Sequence, residues 1–207
     1  MISYNKLTDL LTNQIIPFIE KFPQNSELNN IILEVGKNDK SYFNYNLQPD
    51  EYYSIKNNID QLLNNNSKIK ISKTSSTNYF YNNLEFICEN EKEMCVQHSD
   101  ILVNNFKSPN TNHDLRIKTV VNKTVEILRF PGLDKYNNIE YRSILTYHYP
   151  IQKTKSIDIN FIIYSNKNLD TATKFDKKYA MNISLFFCND NINNIVNNIM
   201  DILKIIT

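Results

Sequence analysis

Arg116 and Lys118 in the run DLRIKT stand two residues apart, as do Glu140 and Arg142 in IEYRSI and Asp158 and Asn160 in SIDINF. Side chains at that spacing on a β-strand share a face, so each run can turn a pair of polar groups to one side. If such strands close into a barrel with those faces inward, cations on several walls would hold a polyphosphate. Carboxylates on the floor would hold a divalent metal bridging it. A further run, NIILEVGKND at residues 30–39, presents the carboxylate of Glu34, then Gly36, where the strand is expected to break, and then Lys37. A sandwich with one solvated side would show the same alternation, so the pattern alone leaves both readings open.

Other chemistries find less support. His98, His113 and His148 fall singly in strand-like runs, with no carboxylate or cysteine at an instructive spacing, and are expected to be structural or surface residues. No GxSxG run is present, and Cys88 and Cys95 lack the second ligand pair that a zinc site needs. With Gly36 and Gly132 as the only glycines, neither GxGxxG nor a Walker A loop can form. The acidic residues Glu85, Glu89, Glu91 and Glu93 are expected to form a solvated turn.

A length of 207 residues suits one domain, 1–207, with a substantial core. The net charge of +1 excludes a globally basic nucleic-acid-binding surface, so any anion site must be local. Asn occurs 34 times against two Gly and two Ala, a skew that resembles an AT-rich coding bias and deprives Asn runs of functional meaning. Three cysteines without a CxxC, and a start lacking a basic and apolar leader, point to a reduced, cytoplasmic compartment. No apolar run reaches the roughly 18 residues of a membrane span.

Helical spacing of apolar residues predicts an amphipathic helix or helix pair over 2–22, interrupted at Pro17, and a helix over about 49–64 that starts at Pro49 with Asp50 and Glu51 in its first turn. From 68 to 188 the chain becomes short runs rich in Ile, Val, Thr, Tyr and Phe, the signature of strands. Among these runs, TVEILRF is expected to form one. An Ile-rich amphipathic helix after Asp190 is expected to close the chain. The predicted fold is α+β: an eight- to ten-stranded, mostly antiparallel closed β-barrel with N-terminal, internal and C-terminal helices.

The order of these runs resembles that of the tunnel-type, metal-dependent RNA 5'-triphosphatases of mRNA capping in fungi and large DNA viruses. ILEVGKNDKSYFNYNLQPDEYYSIKNNI matches the layout of that family's E-x-E-V-[RK]-x-G strand, aromatic strand and helix. STNYFYNNLEFICEN is similar to its aromatic strand pair, and HDLRIKTVVNKTVE to its D-x-R strand through Asp114, Arg116 and Glu126. EYRSILTYHY and SIDINFIIY then occupy the places of its basic strand and of its Asp-bearing strand. The resemblance implies a triphosphate tunnel in which Lys37, Arg116, Lys118 and Arg142 contact phosphates. Glu34 and Asp158 would be the metal-facing acids, with Mg²⁺ or Mn²⁺ as the cofactor if the protein is active.

The departures bear on activity. The family's first glutamate falls on Ile32, its basic residue on Gly36, and its closing acids on Ala180, Asn182 and Ser184. A hard divalent cation takes about six oxygen ligands, and Glu34 with Asp158 is a thin set. Glu34 then reads as a remnant of the metal site. The resemblance thus implies a diverged, catalytically impaired protein, a pseudoenzyme of viral origin. It would serve capping or transcription by binding RNA 5' ends, a nucleoside triphosphate or a capping subunit. Two alternatives stay open: an active triphosphatase whose site is rebuilt by acids such as Glu126 or Glu140, and a purely structural or interaction barrel.

Overall fold

In the computed structural model of the chain, the described residues are 29–39, 42–63, 68–81, 84–90, 92–107, 113–126, 138–152 and 155–186, with 13 and 17 singly. They form nine strands and one helix: β1 (Asn29–Asp39), β2 (Tyr42–Asn44), α1 (Pro49–Leu63), β3 (Lys70–Tyr81), β4 (Leu84–Glu89), β5 (Lys92–Phe106), β6 (Asp114–Thr124), β7 (Asn138–Gln152), β8 (Lys155–Ser165) and β9 (Lys178–Phe186). Every pairing is antiparallel, in the order β2-β1-β6-β5-β4-β3-β7-β8-β9. β9 also pairs with β1, from Asn30↔Phe186 to Glu34↔Asn182, so β1 has β6 and β9 on its two sides.

Several expected boundaries move. Lys70–Lys73 of KIKISK and Ser76–Tyr81 of STNYFYN belong to one long strand, β3. β1 continues past Gly36 to Asp39 instead of breaking there, because Asn38 and Asp39 find partners in Phe43 and Tyr42 on β2. The terminal helices expected over 2–22 and after Asp190 fall outside the described residues. So does most of TVEILRF, of which Thr124 ends β6 and Val125 and Glu126 lie beyond it.

Alternation along the strands sorts side chains onto two faces. The odd-numbered residues Ile31, Leu33, Val35, Leu115, Ile117, Ile157, Ile159, Phe161 and Ile183 are buried, none more than 5% exposed. They pack with Tyr52, Ile55 and Ile59 of α1 in a single apolar cluster. Each such side chain contributes roughly 1.5–3 kcal/mol relative to leaving it in water. The start of α1 is set by one half of a capping box, Gln48 N–H donating to Glu51 Oε2 at 3.0 Å, after which Tyr52 N–H makes the helical bond to Gln48 O at 2.9 Å. Pro49 takes the first helical position, where its missing N–H costs nothing. Edge-on ring contacts from Tyr52 to Phe161 and Tyr179 seat the helix on β8 and β9. The even-numbered residues of β1, β6, β7, β8 and β9 turn to the other face, and there the polar groups collect.

The loop between β8 and β9 is held by Asp176, whose carboxylate accepts from Lys167 Nζ at 2.6 Å and from Thr173 N–H and Oγ1–H at 3.0 and 2.8 Å. The Lys167 ammonium, then the Thr173 donors, hold its carboxyl down at about 2 against an ordinary 3.8. With the folded value below the unfolded one, this contribution is fully present above about pH 4 and is lost as pH falls through 2. NMR titration should place the Asp176 carboxyl carbon near 2 in the wild type and clearly higher in Thr173→Ala.

Candidate functional site

Register brings the polar face together. Directly opposed residues share a face, and Glu34 on β1 stands opposite Arg116 on β6 and Asn182 on β9. Asn160 opposes Asn182 and Thr146, while Arg142 opposes Tyr164 and Ser76. A cavity of about 260 Å³ results, with Glu34, Arg116, Lys118, Glu140 and Arg142 in its walls. Tyr45 and Tyr164 line it too, their rings stacked with centroids 6.4 Å apart. The Tyr164 hydroxyl donates to Asn46, and burial pushes its pKa well above the ordinary value.

Two ion-pair groups occupy the walls. In the first, Lys118 Nζ lies 2.7 Å from Glu34 Oε1, and Arg116 Nε lies 3.7 Å from Glu34 Oε2. The second contact is too long for a hydrogen bond. Both of its atoms are buried with no hydrogen-bond partner among the described residues. In the second group, Arg142 donates through Nη1 to Glu85 Oε1 at 2.8 Å, and through Nε and Nη2 to Glu140 Oε2 at 3.0 and 2.9 Å. Asn78 Nδ2 adds a bond to Glu85 Oε1 at 2.7 Å. The Arg142 guanidinium also lies over the Phe80 ring, 5.4 Å from its centroid.

Four of the six residues proposed from the sequence therefore meet in one cavity: Glu34, Arg116, Lys118 and Arg142. Lys37 does not join them, because its odd position points it to α1, where Nζ pairs with Glu51 Oε1 at 3.0 Å. Asp158 shares the polar face but is taken up by His148, Oδ1 to Nδ1 at 2.9 Å. No carboxylate stands at an instructive sequence spacing from His148, and its partner sits across a strand pair instead. The expectation for Glu85 is corrected. It is not in a solvated turn but on β4 at 5% exposure, its carboxylate held by Arg142 and Asn78. Only strand pairing places Glu85 beside Arg142, and the acidic run around it hid the signal.

The donor set does not fit a divalent metal as placed. Glu34 is matched by an ammonium, its neighbour across β9 is the neutral Asn182, and Glu140 is held by a guanidinium on two nitrogens. Among the described residues, no group of three His, Cys, Asp or Glu is arranged to share an ion.

No family sequence model and no curated protein sequence matches the chain. Solved structures do. The S. pombe RNA triphosphatase Pct1 superposes with a TM-score of 0.66 at 12% identity, covering 96% of this chain and 84% of that one. Its complex with the Spt5 CTD gives 0.69 at 13%, covering 97% and 91%. The Mimivirus capping enzyme triphosphatase gives 0.58 at 14%, covering 94% and 96%. The class defined is thus a fold, the mostly antiparallel β-architecture of the RNA triphosphatases, and at these identities the likeness concerns the fold alone.

Proposed function

We propose that the strands enclose a tunnel within a single domain, and that the chain is a diverged RNA 5'-triphosphatase-like protein of a capping or transcription apparatus. It binds the triphosphate of an RNA end or nucleotide. The observation that carries this reading is the convergence of Arg116, Lys118 and Arg142 on one cavity of about 260 Å³ in a fold shared with RNA triphosphatases. Drug-sized sites occupy roughly 300–1,000 Å³, so the space suits a phosphate chain better than a whole nucleotide. Among the described residues Arg116 Nε–H has no hydrogen-bond partner, and the Lys118 ammonium has donors beyond the one on Glu34.

Catalysis is impaired in this reading. Each carboxylate on the wall faces a cation of the protein, which leaves little charge to hold a metal or orient an attacking water. One observation favours the alternative of a rebuilt active site: Glu140 joins Glu34 in the cavity wall, whereas Glu126 lies exposed beyond β6. A docking role is also proposed, with a transcription or capping subunit as partner, on the precedent of the Pct1 complex with the Spt5 CTD.

Triphosphate binding is tested by thermal shift and calorimetry with ATP and 5'-triphosphate RNA. Charge-assisted bonds contribute about 1.5–3 kcal/mol, so Arg116→Ala and Lys118→Ala should each weaken binding by roughly 10- to 100-fold. Lys37→Ala should leave it unchanged. No measurable binding to the folded wild type would leave only the structural reading. Phosphate release with Mg²⁺ or Mn²⁺ that requires both Glu34 and Glu140 would establish the rebuilt enzyme instead.

A further inference from the structure

β3, β7 and β8 bring Ser72, His148 and Asp158 into one hydrogen-bonded row on the polar face. Ser72 Oγ lies 2.8 Å from His148 Nε2, and His148 Nδ1 lies 2.9 Å from Asp158 Oδ1. Asp158 stands directly opposite His148 in the β7–β8 register. Ser72 reaches His148 diagonally from β3, where Lys70 is the residue opposite the histidine. A carboxylate can only accept at Nδ1, so the neutral ring carries its proton there and leaves the Nε2 lone pair facing the Ser72 hydroxyl. His148 is 34% exposed along its side chain, so the row is within reach of solvent.

The row differs from the rest of the polar face. Thr146, Asn160, Asn182 and Ser184 satisfy one another through hydroxyls and amides, with no titratable group. Ser72, His148 and Asp158 instead follow the order nucleophile, base, orienting carboxylate, at distances within the 2.6–3.2 Å reach expected of such sets. The row is also apart from the phosphate cavity: His148 is six residues along β7 from Arg142, roughly 20 Å at the rise of a strand.

We propose that Ser72 is a nucleophile toward acyl esters, with His148 as its general base and Asp158 as a positioning residue. The Ser72 proton passes to His148 Nε2 as Oγ bonds to the acyl carbon. Collapse of the tetrahedral intermediate breaks the bond to the ester oxygen, which leaves as the alcohol with that proton. Water then repeats the sequence, its proton going to Nε2 and on to Ser72 Oγ as the acid departs, so ester and water give acid and alcohol. Lys70, two residues from Ser72 and opposite His148, shares that face of β3 by strand parity and is the cation nearest in register for the charge of the oxyanion.

The test uses the full chain with a fluorophosphonate probe, labelled sites mapped by mass spectrometry, alongside hydrolysis of p-nitrophenyl acetate. Labelling is expected at Ser72, absent in Ser72→Ala and at least 100-fold slower in His148→Ala. Asp158→Asn should lower the maximal labelling rate at least tenfold with the half-saturating probe concentration unchanged, a split that loss of structure would not give. Melting curves confirm that each variant is folded. The proposal is overturned if the folded wild type takes no label, if label persists in Ser72→Ala, or if its rate is indifferent to His148→Ala.

Discussion

Arg142→Ala should lower the melting temperature by about 6–12 °C. The guanidinium is the cation for two carboxylates, Glu85 at 7% and Glu140 at 17% side-chain exposure, and contacts both within 3.0 Å. Its removal takes from two carboxylates in a poorly solvated wall the guanidinium that holds them both. Breaking a buried pair from one side costs about 3–5 kcal/mol; at 26% exposure for Arg142 we take the lower end, about 3 kcal/mol. Each kcal/mol moves the transition of a chain this size by roughly 2–4 °C. Adding Glu85→Gln and Glu140→Gln to Arg142→Met should recover most of the loss, because the stranded charges are then gone. Differential scanning calorimetry of the two proteins decides it. A shift under 2 °C in Arg142→Ala would show that the wall is well hydrated.

Gly36→Ala should destabilise by a similar amount, about 3 kcal/mol, the upper end of overpacking costs. A Cβ at this position would lie 2.8 Å from Phe43 Cε1 and 2.9 Å from the carbonyl carbon of Asn44, and would overlap that carbonyl's oxygen. Side chains can shift; the β2 backbone, paired to β1 at Lys37↔Asn44, cannot do so without giving up the ladder. Gly36 is also the position onto which the family's basic residue falls. Gly36→Arg should therefore not restore a phosphate ligand but part β2 from β1. Hydrogen exchange at Asn44, paired with Lys37 across β1 and β2, should rise in both variants. Unchanged protection would mean that β2 is not locked against β1.

The strand and helix content was legible because it rests on local periodicity. Ile157, Ile159 and Phe161 alternate with Asp158 and Asn160, and only a strand with one apolar and one polar face satisfies both sets. The internal helix was equally plain from Pro49 and the acidic first turn. The candidate cations Arg116, Lys118 and Arg142 were legible for the same reason, since parity assigns each to the polar face. Lys37, next to Gly36 in sequence, is one residue of parity away and so lies on the opposite face, where it meets α1.

What no local pattern contains is the pairing between distant strands. Glu85 and Arg142 are 57 residues apart, and Ser72 and His148 are 76 apart. Their contacts exist because β3 lies between β4 and β7. The sequence by itself determined which residues face together on each strand, since alternation follows from backbone geometry alone. The tertiary structure decided which strands became neighbours and in what register. That choice turned an acidic run into a partner for Arg142, a lone histidine into the middle of a serine–histidine–aspartate row, and a glycine into a contact that admits no side chain. The physical reason is that a strand's edge hydrogen bonds are the same for every partner. Pairing is selected by burial of the whole apolar face, a sum over many residues that no single motif records.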